Sequence, residues 1–152
     1  MALPPQKFRE IVFQILYCSD FPAAETEETA IMLMNELKVT KKSVLEAHEK
    51  TRQIQAKLFE IDAKIGAYAT DYSFERILRV EKTILRLALY ELLFEPSLPP
   101  LVAIAEAIRL TRKFGTPESA RFVNAVLDRV YKNSLLNLQT NGTLICETSE
   151  TL

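Results

Sequence analysis

The residue types best able to do chemistry gather in the last third of the chain. Arg109, Arg112 and Lys113 close one helical stretch, and Arg121 opens the next, beside Phe122 and across the turn at Gly115. Cations near a helix C-terminus are favourable for dipole reasons alone, which accounts for Arg112 and Lys113 without any ligand. The dipole does not account for Arg121, which stands near a helix start. A guanidinium beside a ring, at a turn that exposes helix N-terminal amides, can grip RNA: amides and cations hold phosphate, and the ring stacks a splayed base. Phe122 also stands four residues before Val126, the spacing of an ordinary core residue. The grip therefore requires Arg121 and Phe122 to be reachable by solvent.

Other chemistry finds little support. Glu75 and Glu81 could face one another as acid and base, but charged residues on helices are ordinarily solvated and nothing nearby would shift their pKa values. The only glycines are Gly66, Gly115 and Gly142, so no phosphate-cradling glycine loop exists. His48 is the single histidine, and Cys18 and Cys146 stand far apart. This excludes zinc-finger and zinc-protease patterns and leaves Cys/His and Ser/His catalysis without its parts. No cofactor is expected.

The 152 residues carry a net charge of −1, with 48% hydrophobic and 26% charged residues, the composition of one globular domain. Bulk charge does not announce a nucleic-acid binder, but its distribution is uneven. Residues 20–49 hold three Lys/Arg against seven Asp/Glu, whereas residues 96–134 hold six against three. Two unpaired cysteines point to a reducing, cytoplasmic setting. The N-terminus lacks an apolar signal segment, and Lys82, Arg86 and Glu91 interrupt the most apolar stretch, so no membrane span is expected.

The elements that must position these residues read as helix after helix. Phe8, Ile11, Val12, Ile15 and Leu16 predict a helix over about 6–18, ended by Asp20-Phe21-Pro22. A second is predicted over about 25–37, with Glu25, Glu27 and Glu28 in its first turn. One long helix is predicted over about 41–68, with Gly66 weakening its end, and then a short helix near 74–79 capped by Ser73. Residues 80–94 are apolar nearly all round, which predicts the central, most buried helix. Pro96, Pro99 and Pro100 stop and restart the chain. The next helix runs to Phe114, with Gly115 at the position that favours glycine. Thr116-Pro117-Glu118 then reads as cap, first-turn proline and first-turn acid of a last helix reaching about Asn133. Asn124 and Asp128 read as structural hydrogen-bonding groups near that turn. Residues 135–152 are rich in Ser, Thr and Asn, lack Lys and Arg, and read as a loose tail. The fold class is all-α.

From Arg79 onward a family resemblance emerges. The run Val80-Glu81-Lys82-Thr83-Ile84-Leu85-Arg86-Leu87-Ala88-Leu89-Tyr90-Glu91-Leu92 resembles the central helix of the NusB family of transcription antitermination factors. So do Val102 to Ile108, Lys113-Phe114-Gly115, and Ser119-Ala120-Arg121-Phe122-Val123-Asn124-Ala125-Val126-Leu127-Asp128. Arg9-Glu10 and Gln14-Ile15-Leu16-Tyr17 fit the first helix. The resemblance covers about residues 6–134 and is strongest over 79–129. It implies a helical bundle of about seven helices in two small lobes, spanning residues 1–134, without catalysis. The implied partners are single-stranded boxA-type RNA, the ribosomal small-subunit protein that doubles as NusE, and the antiterminating RNA polymerase complex, notably in ribosomal RNA synthesis. Some members also self-associate.

The resemblance implies RNA contacts at Lys7, Arg9, Glu118, Arg121 and Phe122, with Arg86 and Phe114 as additions. It implies a partner face at Tyr17, Glu81 and Glu75. Tyr17 also reads as a cap on the core, and Arg86 as a packing residue with a snorkelling stem. The family's run of N-terminal arginines is reduced here to Lys7 and Arg9, which predicts weaker RNA binding or greater dependence on the partner. Arg109 replaces a usual acid and is expected to restore charge to the RNA face. The competing readings are an interaction module with weakened RNA binding, and the NusB-like domain of an RNA cytosine methyltransferase.

Overall fold

The computed structural model describes residues 3–19, 32, 34–36, 38–70 and 72–136. Six α-helices carry the described fold: α1 (Pro5–Cys18), α2 (Lys41–Ala56), α3 (Leu58–Tyr68), α4 (Arg79–Phe94), α5 (Pro100–Phe114) and α6 (Pro117–Val130). Residue 32 and residues 34–36 are also helical, inside the expected second helix; the rest of that helix, and residues 137–152 of the expected tail, lie outside the described residues. No strand occurs among the described residues.

The helix expected over 41–68 is two helices. It breaks at Lys57, whose φ and ψ of −107° and 10° leave the helical region while its N–H still donates to the Ile54 carbonyl. The reason lies in packing. α2 spans 16 residues and α1 spans 14, so the two nearly match in length, and α2 buries Val44, Ala47, Thr51 and Ile54. An unbroken helix would carry Ile61 and Ile65 onward along the Ile54 stripe, beyond α1. The turn at Lys57 redirects these two residues onto α4 and α6, where both are fully buried. Gly66 lies inside α3, which continues to Tyr68.

α4 is the central helix, packed against α1, α2, α3, α5 and α6. It buries nearly every residue from Glu81 to Leu92. The four buried polar side chains on it are each bonded, as a water-excluded core demands. Thr83 Oγ1 donates to the Arg79 carbonyl (2.7 Å), and Glu81 accepts from Ser119 Oγ (2.7 Å). Arg86 pairs with Asp62, and Glu91 with Arg9.

Smaller differences follow from local bonding. The segment expected as a short helix near 74–79 is a single 3-10 turn at Phe74–Arg76, and the Ser73 side chain makes no capping bond. Thr116 does cap α6: its Oγ1 accepts from the Ser119 N–H at 3.1 Å, and Pro117 opens the first turn. Regular α6 ends at Val130 rather than Asn133, passing into a π-helical turn over Tyr131–Leu136. Within it Asn133 Nδ2 donates to the Arg129 carbonyl at 2.9 Å.

Gly115 is needed for a reason different from the one its spacing predicts. Its φ of −118° is ordinary extended backbone, not the left-handed cap. A Cβ there would meet the Thr111 carbonyl oxygen at 2.9 Å and Ser119 Cβ at 3.3 Å. Close approach of α5 to α6 therefore selects glycine at this turn.

Candidate nucleic-acid interface

α5 and α6 meet at an acute junction whose outer side opens as a cleft of about 630 Å³. Ile108 and Arg112 line it from α5; Pro117, Ala120, Arg121 and Asn124 line it from α6. The α6 set has i, i+3, i+4, i+7 spacing, one face of the helix. The neighbouring face buries Ser119, Val123, Val126, Leu127 and Val130 in the core. The cleft is thus the solvent-side shoulder of a helix whose other side is fixed.

Among the described residues two guanidinium groups and one amide line this cleft, and no carboxylate does. Arg112 is exposed and has no ion-pair partner among the described residues. The Arg121 side chain is 78% exposed and reaches Glu118 at 3.6 Å, a surface pair that water and counterions readily replace. Ile108, Pro117 and Ala120 give an apolar floor. The arrangement suits a planar apolar ring edged by anionic oxygens, which is the chemistry of a nucleotide.

Phe122 is half-buried and faces away from the cleft, meeting Tyr72 edge to face with centroids 5.6 Å apart at 69°. Tyr72 is itself exposed. The ledge required of Arg121 and Phe122 is therefore open to solvent, with the cation on one side of α6 and the ring on the other. Glu118 is exposed in the first turn of α6. Phe114 is half-buried against Phe13, with centroids 4.8 Å apart, and Lys113 lies over its ring.

Several cations expected at an RNA face are instead turned inward. Arg9 Nε donates to Glu91 at 3.0 Å; the two side chains are 13% and 5% exposed. Arg86 binds both oxygens of Asp62 (Nε at 2.9 Å, Nη2 at 3.0 Å) and lies over the Phe74 ring. Arg109, expected to restore charge to the RNA face, is bonded to Glu10 (2.7 Å), Glu106 (2.8 Å) and the Gln6 carbonyl (3.2 Å). Lys113 completes the cluster on Glu10 at 2.9 Å. Lys7 stands half-buried on the first turn of α1.

These pairs leave their mark on the carboxylates. Burial pushes Glu10 and Glu106 up, but hydrogen bonds from Arg109, joined by Lys113 at Glu10 and Gln6 at Glu106, outweigh it and hold both below the usual carboxylate range. Glu91 is deeper, and there burial wins over Arg9, so its pKa is raised. On α2, His48 is buried with Nε2 lacking a hydrogen-bond partner among the described residues; burial, and secondarily the nearby Arg52, lower its pKa.

The expected partner-face residues separate. Glu75 is exposed on the 3-10 turn, and Tyr17 is half-buried beside Phe13 (6.1 Å). Glu81 is only 9% exposed, with its carboxylate on Ser119, so it makes no acid–base pair with Glu75. Asn124 lines the cleft in place of the expected structural bond, and Asp128 pairs with Lys132 at 3.0 Å. Sequence reasoning passed over Asn124, Ile108 and Ala120 as cleft residues, although their spacing with Arg112 and Arg121 carries the signal.

Among the described residues no His/Cys/Asp/Glu group could hold a metal, and no helix is long and apolar enough to cross a membrane. Cys18 is free, and burial pushes its thiol up; Cys146 lies outside the described residues.

The sequence model of the NusB family matches residues 6–132. A transcription antitermination protein NusB of Chlamydia pneumoniae is 38% identical over 134 residues, covering 88% of this chain and 84% of that protein. A T. maritima NusB structure superposes with a TM-score of 0.72 at 36% identity, over 88% of this chain and 94% of the other. A crystal structure of antitermination factors NusB and NusE in complex with dsRNA gives 0.70 at 26% identity, over 84% of this chain and 95% of that one.

Proposed function

The chain belongs to the NusB family of transcription antitermination proteins, which are not enzymes, and from this premise we propose that it grips boxA-type nascent RNA jointly with NusE. The bound pair helps RNA polymerase resist termination in ribosomal RNA operons, in the cytoplasm. The observation that carries the RNA half is the acid-free cleft between α5 and α6, with Arg112 and Arg121 at its rim. The NusB–NusE–dsRNA complex, a structural relative, supports both classes of partner.

Phosphates run along Arg112 and Arg121, a base stacks on the Phe122–Tyr72 edge, and Lys7 and Phe114 extend the track. Glu118 sets how strongly Arg121 is drawn toward the first turn of α6. NusE docks on a surface that takes in Tyr17 of α1 and, apart from it, Glu75 of the 3-10 turn. The inward turn of Arg9 and Arg109 leaves few cations on this face, so the RNA grip leans on NusE.

The test is binding of a labelled boxA-like RNA to the chain alone, to NusE alone and to the pair, across a salt series. The pair binds more tightly than either protein alone, affinity falls steeply as salt rises, and Phe122→Ala weakens binding. Equal affinity with and without NusE removes the joint grip. Salt-independent binding removes the phosphate track.

A further inference from the structure

Among the described residues, the α5–α6 cleft offers hydrogen-bond donors at its rim and one side-chain acceptor in its wall. The guanidinium groups of Arg112 and Arg121 only donate, and Ile108, Pro117 and Ala120 have no polar side-chain atom. Asn124 differs: its amide carries an acceptor oxygen, Oδ1, and two donors on Nδ2. A ligand group that donates into the cleft therefore has Asn124 Oδ1 as its side-chain partner.

The fold leaves this amide unused. Asn124 is exposed and makes no hydrogen bond among the described residues. Its neighbours at helical spacing are engaged elsewhere: Arg121 reaches Glu118, and Asp128 pairs with Lys132. The cap of α6 is Thr116, not Asn124. Asparagine is among the poorer residues inside a helix, because its side chain competes for backbone hydrogen bonds. Thus α6 carries an unfavourable residue where no internal bond offsets it. Its place relative to Pro117, Ala120 and Arg121 is fixed by one helix, whatever the setting of α5 against α6. A nucleotide whose phosphate meets Arg121 can lay its base on the apolar floor and turn the base edge to the amide.

We infer that Asn124 reads one base of the RNA, its amide pairing with the Watson–Crick edge of a splayed base while the arginines hold phosphate. This rests on the cleft being the RNA site. On that edge each base sets an N–H donor beside an acceptor, so cations alone meet half of it and an amide meets both halves. Phosphate contacts give affinity without sequence, whereas base-edge contacts give sequence preference. The two are separable, because the phosphate contacts are the ones that release counterions.

The experiment measures binding of a short labelled single-stranded boxA-like RNA by the full chain with NusE, over a salt series. Each RNA position is changed in turn to the other three bases. The parent discriminates by about tenfold at the position that is read. Asn124→Ala brings the four bases at that position within about twofold of one another. It leaves discrimination at every other position, and the slope of log affinity against log salt, as in the parent. Its melting temperature does not fall, since an exposed side chain without internal bonds has been removed. Asn124→Asp gives a second signature. A carboxylate only accepts, and guanine presents two adjacent donors, N1–H and N2–H, on its Watson–Crick edge. Affinity for guanine relative to the other bases at that position rises about fivefold, while all four RNAs bind more weakly because a negative charge has entered the phosphate track.

An Asn124→Ala chain that keeps the parent's discrimination at every position overturns the inference. So does a loss of discrimination at several positions together, or a changed salt slope, since either marks Asn124 as a structural residue of α6. An unshifted guanine ratio in Asn124→Asp removes the Watson–Crick pairing. A parent that binds with salt dependence yet treats all bases alike removes the reading and leaves the phosphate track standing. A parent with no salt-dependent binding removes the cleft as the RNA site, and the inference with it.

Discussion

Two regions of this molecule gather arginines, and they use them differently. At the seam of α1, α4 and α5, Arg9, Glu10, Glu91, Glu106, Arg109 and Lys113 form one ion-pair cluster, buried at Glu91 and open to solvent at Lys113. At the α5–α6 junction, Arg112 and Arg121 flank a cleft with no carboxylate in its wall among the described residues. A cation three residues from another, on the same helix, can thus belong to the core scaffold while its neighbour belongs to the binding surface. What decides is whether a carboxylate from another helix meets it, and burial then makes that meeting hard to exchange for a phosphate.

The largest effect that could break the contrast is at Arg9. Arg9→Ala leaves the 5%-exposed Glu91 carboxylate without its main partner. Loss of one member of a buried pair costs about 3 kcal/mol, so the melting temperature should fall by roughly 10 °C for a chain of this size. Thermal denaturation followed by circular dichroism checks this. A variant that melts like the parent but loses RNA binding would move Arg9 to the open region and erase the distinction.

Next in size is reversal of charge at the cleft. Arg112→Glu with Arg121→Glu should weaken RNA binding on the order of 100-fold at low salt and flatten its salt dependence by about two in slope. Both side chains are exposed, so the melting temperature should move little. A fluorescence-anisotropy titration alongside a melt separates the two readouts. Arg109→Glu in the same assay is the contrasting control: it should destabilise the fold, because it sets a carboxylate against Glu10 and Glu106.

Much of this fold is legible in the sequence because its punctuation is strong. Pro99, Pro100, Gly115 and the Thr116-Pro117 pair mark the ends of α5 and α6, and the 3.6-residue period marks the buried faces of α1 and α4. The break at Lys57 was not legible, because no proline or glycine stands there and the apolar spacing runs through it unbroken. The site was legible in part. Arg121 and Phe122 were drawn out by their place near a helix start, whereas the fates of Arg9 and Arg109 depend on Glu91 and Glu10, 82 and 99 residues away. Local spacing carries no information about partners at that separation. Ser119 and Glu81, 38 residues apart, are hidden for the same reason.

Acid sharpens the contrast from the other side. Glu10 and Glu106 have pKa values held below the ordinary 4.5 in the fold, so each stabilises the native state at neutral pH. That stability is present above the unfolded value and disappears as pH falls through the lowered folded value. Glu91 works in the opposite sense: its raised pKa costs stability at neutral pH, and that cost is relieved as pH falls through the raised folded value toward 4.5, a window above that of Glu10 and Glu106. Glu10→Gln should therefore destabilise the chain at pH 7 and do so much less at an acid pH beneath the lowered folded value, narrowing the gap to the parent. Urea denaturation at the two pH values reads this directly. A gap of equal size at both would mean that packing, not charge, holds the seam.

The smallest effect falls on α2, away from both clusters. Burial lowers the pKa of His48, so the fold prefers the neutral imidazole. For a base, a lowered folded pKa means stability that is complete above the unfolded value near 6.5 and declines as pH drops below it. The parent should lose melting temperature as pH falls from 7.5 to 5.5. Arg52, whose charge acts on His48, works in the same direction as burial, so added salt should shrink the loss only in part. His48→Leu removes the titrating group, and its melting temperature should not fall across the same interval. Glu10 and Glu106, with lowered pKa values, are already ionised throughout that interval and contribute no slope there, and Glu91, with its raised pKa, works against the His48 loss. A parent melting temperature that tracks that of His48→Leu from pH 7.5 to 5.5 would place His48 in contact with water and remove α2 from the list of pH-sensitive elements.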